Sequence, residues 1–302
     1  MAVAEFAEPG LKQGAAVGGG PRKRSRSRRW ALLGVLPFFA YISIFLLIPT
    51  GELIVGAFRT ANGAFTLSNI SDIFHAPYPS AFVFSLELSG LSALMGGLLG
   101  CLVANAVLHH GVPRFIRPAF VSFSGMAANF AGVPLGFAYV ATLGTLGVVT
   151  TLLGHLGLNI YPTFSLQGLF GCALCYTYFQ LPLMILLMIP VIEGIRPEWR
   201  EAASNLGASA YGFWRYVGLP VMMPSLLGLM VLLFGNAFSA YATAETLGVS
   251  NLVTIDIADL INGDITINPQ DAYALAVGMI VIIVITIVIY ALLQRRASRW
   301  LR

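Results

Sequence analysis

Apolar runs alternate with short polar stretches along this chain. Six of the runs are long enough to cross about 30 Å of hydrocarbon, which takes about 20 helical residues. They cover 30–58, 81–108, 118–141, 168–192, 222–247 and 272–293. In lipid a spanning segment must satisfy its backbone N–H and C=O groups internally, so each run is expected to be a helix. The pattern predicts an all-α polytopic membrane protein with six transmembrane helices. Composition agrees, since 57% hydrophobic and 10% charged residues do not describe a soluble core.

Two stretches interrupt the pattern. Residues 1–29 are rich in Gly, Ala and Ser, lack apolar periodicity and carry "RKRSRSRR" from Arg22 to Arg29. They are expected to form a disordered basic tail, with 30–302 as the membrane domain. The run after the tail is too long for a signal peptide and lacks a small-residue cleavage site, so it reads as a retained first span, bent at Pro37 and Pro49. The second stretch, 193–220, reads "EGIRPEWREAASNLGASAYGFWRYVGLP" and is polar between two oily runs.

Charge then orients the spans. Of the 17 Lys and Arg, 16 fall in the N-terminal tail, at Arg114 and Arg117, in 193–220, or in the C-terminal "RRASRWLR". Only Arg59 falls on the other side. By the positive-inside rule both termini and the 193–220 stretch are expected in the cytoplasm. Arginines that set topology account for the net charge of +4, and no nucleic acid partner is implied.

Catalytic chemistry is hard to find. Cys172 and Cys175 form a CxxC inside the fourth span with no histidine beside it, and Cys101 lies inside the second, so all three read as packing residues. No HExxH or GxSxG is present, and no GxxxxGK[ST] that would hold the phosphates of ATP. The chain is therefore not expected to be an enzyme or to bind a metal or cofactor.

Ionisable groups inside a bilayer cost about 2.5–3.5 kcal/mol at its centre on insertion scales, so Glu52, Glu87 and Glu245 each ask for a reason. Glu52 is near enough to the interface for solvation to explain it. Glu87 lies about two turns into the second span. Glu245 ends the fifth beside an aromatic stripe of Phe234, Phe238 and Tyr241. Acid with aromatic faces suits a cationic ligand, and equally an interfacial acid beside lipid-facing rings. Neutral polar groups add faces: Ser122, Gly125, Asn129, Gly132 and Gly136 on the third span, Asn236, Ser239 and Thr243 on the fifth. Such faces serve either helix packing or a polar pathway. The last outer loop, 248–271, holds four aspartates and no Lys or Arg. Within it "VTIDIADLI" predicts a short surface helix with Ile257, Leu260 and Ile261 on one side, Asp256 and Asp259 turned away, and a stop at Asn262-Gly263.

Counted as a helix, 193–220 aligns Trp199, Leu206 and Phe213 with Ala203, Ala210 and Val217 in one apolar stripe. Gly207 and Gly212 disfavour a single rod and suggest two short helices with a bend between them. Pro197 fits a first turn, and Pro220 and Pro224 mark the return to the bilayer. Too small to fold alone, this pair must lie against lipid or a partner.

The same residues carry a resemblance. Glu201-Ala202-Ala203, three residues, Gly207, nine residues, Val217, then Leu219-Pro220 resembles the EAA loop of ABC-importer permeases, with Val217 in place of the usual Ile. The resemblance implies a permease domain over 30–302 with a cytoplasmic coupling helix between spans four and five, seated in a cleft of a separate ATPase subunit. It implies two ATPase subunits carrying ATP and Mg, a second homologous permease, an extracytoplasmic binding protein and a place in the bacterial inner membrane. Glu201, Ala202, Ala203, Gly207, Leu219 and Pro220 become the coupling residues. Within the family, "GNAFSAYATAETL", the acidic last loop and "DAYALAVGMIVI" look most like spermidine/putrescine-type permeases, while iron(III), sulfate, thiamine and phosphonate branches share the architecture. On that reading Glu87, Asn129, Asn236, Tyr241 and Glu245 would line a path for an organic cation. A secondary transporter would need mid-membrane coupling carboxylates and symmetric broken helices, which the sequence does not display.

Overall fold

A computed structural model describes residues 35–108, 113, 115–161, 163–263 and 269–298. The tail expected over 1–29 lies outside them. The chain divides into two compact units at Glu52 and Leu53. Described residues of the first belong to helix α1, Val35–Ala57, which ends in the second unit. A π-helical turn at Ser43–Leu47 interrupts α1 just before Pro49, whose missing N–H breaks the regular hydrogen-bond ladder.

The second unit continues with α2 (Ser68–Asp72), α3 (Tyr78–Val107), α4 (Ile116–Asn129), α5 (Val133–Leu143) and α6 (Val148–His155). It closes with α7 (Leu169–Glu193), α8 (Pro197–Asn205), α9 (Ala210–Phe238), α10 (Ala242–Leu247), α11 (Val253–Asn262) and α12 (Pro269–Ser298). Among the described residues six segments are long and apolar enough to span a membrane: α1, α3, 133–155, α7, α9 and α12 up to Arg295. The all-α polytopic class read from hydropathy stands.

Two of the six runs were drawn wrongly. The run 118–141 is not one helix: α4 stops at Asn129, and Gly132 takes φ 75° before α5 begins. A positive φ is cheap only for glycine, so Gly132 turns an apolar run into two helices. The third candidate span is instead α5 with α6. The run 222–247 likewise ends at Phe238, and Ser239–Tyr241 separate it from α10. At its other end α9 begins twelve residues earlier than expected, at Ala210.

Helix α7 is the most buried span and carries the core. Helix α3 lies against it along Gly96 and Gly100: a Cβ at Gly96 would sit 2.5 Å from Gln180 Cβ, and one at Gly100 would sit 2.6 Å from Met184 Cβ. Gly97 makes the same close approach to Met230 of α9. Lipid tails are as apolar as leucine, so span association depends on such close packing rather than on a hydrophobic force. One buried cluster, with Leu88, Leu135, Tyr176, Phe179 and Leu247, fills the α11 end. A second, with Ala104, Met184, Met188, Ile192 and Met222, fills the α8 end. Cys172 and Cys175 are buried as free thiols in α7, as packing residues would be.

Helix α11 forms and stops as expected, yet it rests on protein. Val253 and Ile255 are buried, while Ile257 and Leu260 pack against Ala81 and Leu275. Ser85 Oγ accepts the Val253 N–H at 3.1 Å. Ile261 is exposed, and Asp256 is half-buried rather than turned away. Burial, then the neighbouring Asp259 carboxylate, pushes the Asp256 carboxyl up to about 6.

Candidate functional site: a coupling elbow and a broken fifth span

The polar 193–220 stretch folds as an elbow. Arg196 is extended, Pro197 opens α8 and Glu198 lies in its first turn, where the helix dipole favours an acid. At the other end Gly207 takes φ 77°. The Ala208 N–H then reaches the Ala203 carbonyl and the Gly207 N–H reaches Ser204, both at 2.9 Å. This pair of bonds is a Schellman cap, and it explains why glycine stands at this spacing from the EAA triplet. Ser209 immediately caps the next helix, its Oγ accepting the Gly212 N–H at 3.1 Å. The bend is therefore at Gly207 alone. Two short helices with one bend are what the two glycines suggest in the sequence; Gly212 lies past that bend and supplies the capped N–H inside α9.

The apolar stripe drawn for one continuous helix does not survive the elbow. Phe213 is buried and Ala203 and Val217 are half-buried, but Leu206 is 88% exposed and Ala210 is exposed. The Arg200 guanidinium lies over Phe213 and Trp214, 5.3 and 5.9 Å from their ring centres, and so ties α8 to α9. A cleft of about 310 Å³ remains beneath the elbow, lined by Asn105, Ile192, Arg200 and Ser209 among others. Arg117 pairs with Glu193, joining α4 to the end of α7; both side chains are near half exposure, so the pair adds little stability.

Glu201, Ala202 and Gly207 all lie on the exposed side of the elbow, with Ala203 half-buried. Leu206, Tyr211 and Tyr216 add exposed apolar surface there. Leu219 and Pro220 are not in the loop. They sit inside α9, directly after a π-helical segment, Trp214–Gly218, in which the Leu219 N–H reaches back to the Trp214 carbonyl. Pro220 has no N–H to continue the regular ladder, so the wider turn falls just ahead of it. Gly218 is required as well: a Cβ there would lie 2.6 Å from the Trp214 ring.

The residues expected to line a pathway gather around the two helix breaks, with one exception. Asn129 ends α4, exposed, its Nδ2 bonded locally to the Gly125 carbonyl at 2.8 Å. Asn236 is exposed on the last turn of α9, and Ser239 is exposed just past its end. Tyr241 lies beyond the break, one helical turn before Glu245, and both are exposed. The breaks are joined to each other: Thr243 Oγ1 accepts the Gly132 N–H at 2.9 Å, and a Cβ on Gly136 would sit 2.5 Å from Thr246 Cβ. Glu87 is the exception. It is exposed on α3, and among the described residues no hydrogen bond or ion pair links it to the others.

Several sequence groupings change. Thr243 is buried and does not share a face with Asn236. Gly132 and Gly136 serve the α5–α10 contact rather than a polar face. Phe238 is buried and stacks on Phe234, 5.6 Å between ring centres, so no continuous aromatic stripe runs to Glu245. The sequence reading missed Tyr176 and Gln180, both wholly buried in α7. Tyr176 donates to the Ala240 carbonyl at 3.0 Å, inside the break, and Gln180 to the Leu233 carbonyl at 2.7 Å. Their signal was an amide and a phenol standing in an otherwise apolar run.

Comparisons with known proteins fit this geometry. Spermidine/putrescine transport system permease protein PotB of Haemophilus influenzae is 23% identical over 274 residues, covering 87% of this chain and 94% of that protein. Thiamine transport system permease protein ThiP of Escherichia coli is 30% identical over 176 residues, which are 58% of this chain and only 32% of that longer protein. A crystal structure of a bacterial ABC transporter involved in import of the acidic polysaccharide alginate superposes with a TM-score of 0.70. It is 21% identical and covers 89% of this chain and 96% of that one. Residues 96–299 match the family described as binding-protein-dependent transport system inner membrane component. The chain belongs to that family: it is the integral inner-membrane permease subunit of an ABC importer.

Proposed function

We propose that this subunit forms half of a translocation pathway for an organic cation of the polyamine type, handed over by an extracytoplasmic binding protein. A second permease supplies the other half. Two separate ATPase subunits hold ATP and Mg and grip the elbow at Glu201, Ala202, Ala203 and Gly207, with both termini of the permease on their side of the membrane. The observation that carries the coupling assignment is the elbow itself. A short helix turns at a Schellman glycine, is fastened by Arg200 to α9, and α9 runs without a stop to the break beside Asn236. A push on α8 thus has a rigid route to the pathway.

The cation reading rests on which charges occupy the spans. No Lys or Arg occurs in 60–113, 118–195 or 216–294, whereas Glu87, Tyr241 and Glu245 are exposed there. A charge pair about 4 Å apart at an effective dielectric near 20 gains about 4 kcal/mol before desolvation. A modest net attraction of this kind suits passage, because a deep well would trap the substrate.

Reconstituted complex with its binding protein tests both parts. Glu201→Lys should lose binding-protein-stimulated ATPase activity or the ATPase subunits themselves. Glu87→Gln and Glu245→Gln should slow uptake of a cation while leaving that stimulation in place. Full stimulation with Glu201→Lys would remove the coupling assignment. Unchanged uptake in both glutamine variants would remove the cation.

A further inference from the structure

Gln180 is the one wholly buried amide side chain among the described residues, and its two ends are engaged differently. Its Nε2 donates to the Leu233 carbonyl at 2.7 Å, and its Oε1 accepts from Asn236 Nδ2 at 3.4 Å. The fit around it is tight, since a Cβ on Gly96 would lie 2.5 Å from its own Cβ. One turn earlier, Tyr176 holds the Ala240 carbonyl inside the break. The two side chains hold the chain on either side of Asn236, at Leu233 within α9 and at Ala240 just past its end.

The direction of this chain of bonds follows from its fixed end. A backbone carbonyl can only accept, so Leu233 must face the amino end of Gln180, which leaves the Gln180 carbonyl for its other neighbour. A carbonyl also only accepts. Asn236 must therefore turn its amino group inward, and its own Oδ1 outward to the exposed side of α9. A buried amide that ran the other way would leave two acceptors facing each other without a proton, which a low-dielectric interior strongly disfavours.

We propose that Gln180 is a specificity-determining positioning residue of the transport pathway. By holding the Asn236 amide carbonyl-outward it makes this stretch of the path an acceptor of hydrogen bonds, selecting substrates that carry N–H or O–H donors. The proposal rests on the reading of the exposed side of α9 as the pathway. Together with the Glu245 carboxylate near the far side of the break, it describes a path suited to protonated amines and ill suited to oxyanions that can only accept.

The test uses the complete transporter in proteoliposomes with its binding protein, and reads substrate moved per ATP hydrolysed. Asn236→Leu removes the acceptor. Gln180→Met keeps the length and burial of the side chain but releases the asparagine. Each should lower transport per ATP about tenfold, the rate equivalent of one hydrogen bond lost during passage. Stimulated ATPase activity should stay near wild type. The double variant should be no worse than Asn236→Leu alone, because Gln180 acts only through Asn236. Gln180→Glu, buried and hence protonated at pH 6, keeps one O–H for Leu233 and a carbonyl for Asn236, and should restore wild-type transport per ATP. Losses that multiply in the double variant would show that Gln180 merely packs α7 on α9, and would overturn the proposal. So would wild-type transport per ATP with Gln180→Met. Either result obtained while Glu201→Lys still uncouples the complex leaves the coupling assignment standing.

Discussion

Gly207→Val is the perturbation whose size the elbow defines best. A Cβ at this position would meet nothing within 4 Å, so the cost is confined to the backbone. Holding an L residue at φ 77° costs about 1–2 kcal/mol, and a β-branched side chain lies at the upper end. If the chain relaxes instead, it gives up the two capping bonds from Gly207 and Ala208, each worth about 0.5–1.5 kcal/mol. Either route is as large as the coupling energies of about 1–3 kcal/mol that join distant sites. Gly207→Val is therefore expected to abolish binding-protein-stimulated ATPase activity at matched membrane levels of the permease. Gly207→Ala should weaken it partly. Gly207→Asn should keep most of it, because asparagine enters the left-handed region with little strain. The assay is stimulated hydrolysis together with co-purification of the ATPase subunits. Wild-type behaviour of Gly207→Val would refute the reasoning. So would equal damage from Gly207→Asn, since the bare surface and not the backbone angle would then be what the partner reads.

Further outcomes are expected at the two ends of the bundle. A cysteine placed at Gly63 should react with an impermeant reagent from outside intact cells and one at Ser209 should not; labelling at Ser209 would reverse the orientation and the coupling argument with it. Asp256 holds its proton more tightly in the folded chain than in the unfolded one, so its contribution to stability is full only below the unfolded value of 3.8 and is lost as pH rises through about 6. Asp256→Asn should then raise the melting temperature at pH 8 and match the parent at about pH 3, below the unfolded value of 3.8, and a lower melting temperature at pH 8 would contradict the burial of that carboxyl.

Hydropathy was sufficient to find α3, α7 and α12 to within a few residues, because those helices are apolar along their length and end where the polarity changes. It failed where a helix breaks inside an apolar run. Gly132 and Ser239 stop their helices in oily surroundings, and a sliding sum of hydropathy registers no difference there. It failed in the opposite sense at Ala210–Gly218, which looks like loop but is the first part of α9, held by a serine cap and a π-helical segment. The EAA spacing was legible because it reflects one turn of known geometry at Gly207. Leu206 was misplaced because the periodicity was carried straight through that turn. Gln180 escaped notice because its partners are 53 and 56 residues away in sequence, and only packing brings them together.

The glycine face of α3 has a consequence for how the protein is made. Gly96 and Gly100 leave a strip of bare backbone that α7 covers, yet α7 follows the end of α3 by about 60 residues. At a ribosomal rate of about 5–20 residues per second, α3 waits some 3–12 s in the bilayer before its partner is even synthesised. During that interval the strip is open to any other small-residue helix nearby. A larger residue at Gly96 or Gly100 would therefore act first on biogenesis: it would block the docking of α7 as that helix leaves the translocon and send the nascent chain to quality-control proteolysis, long before any question of transport arises.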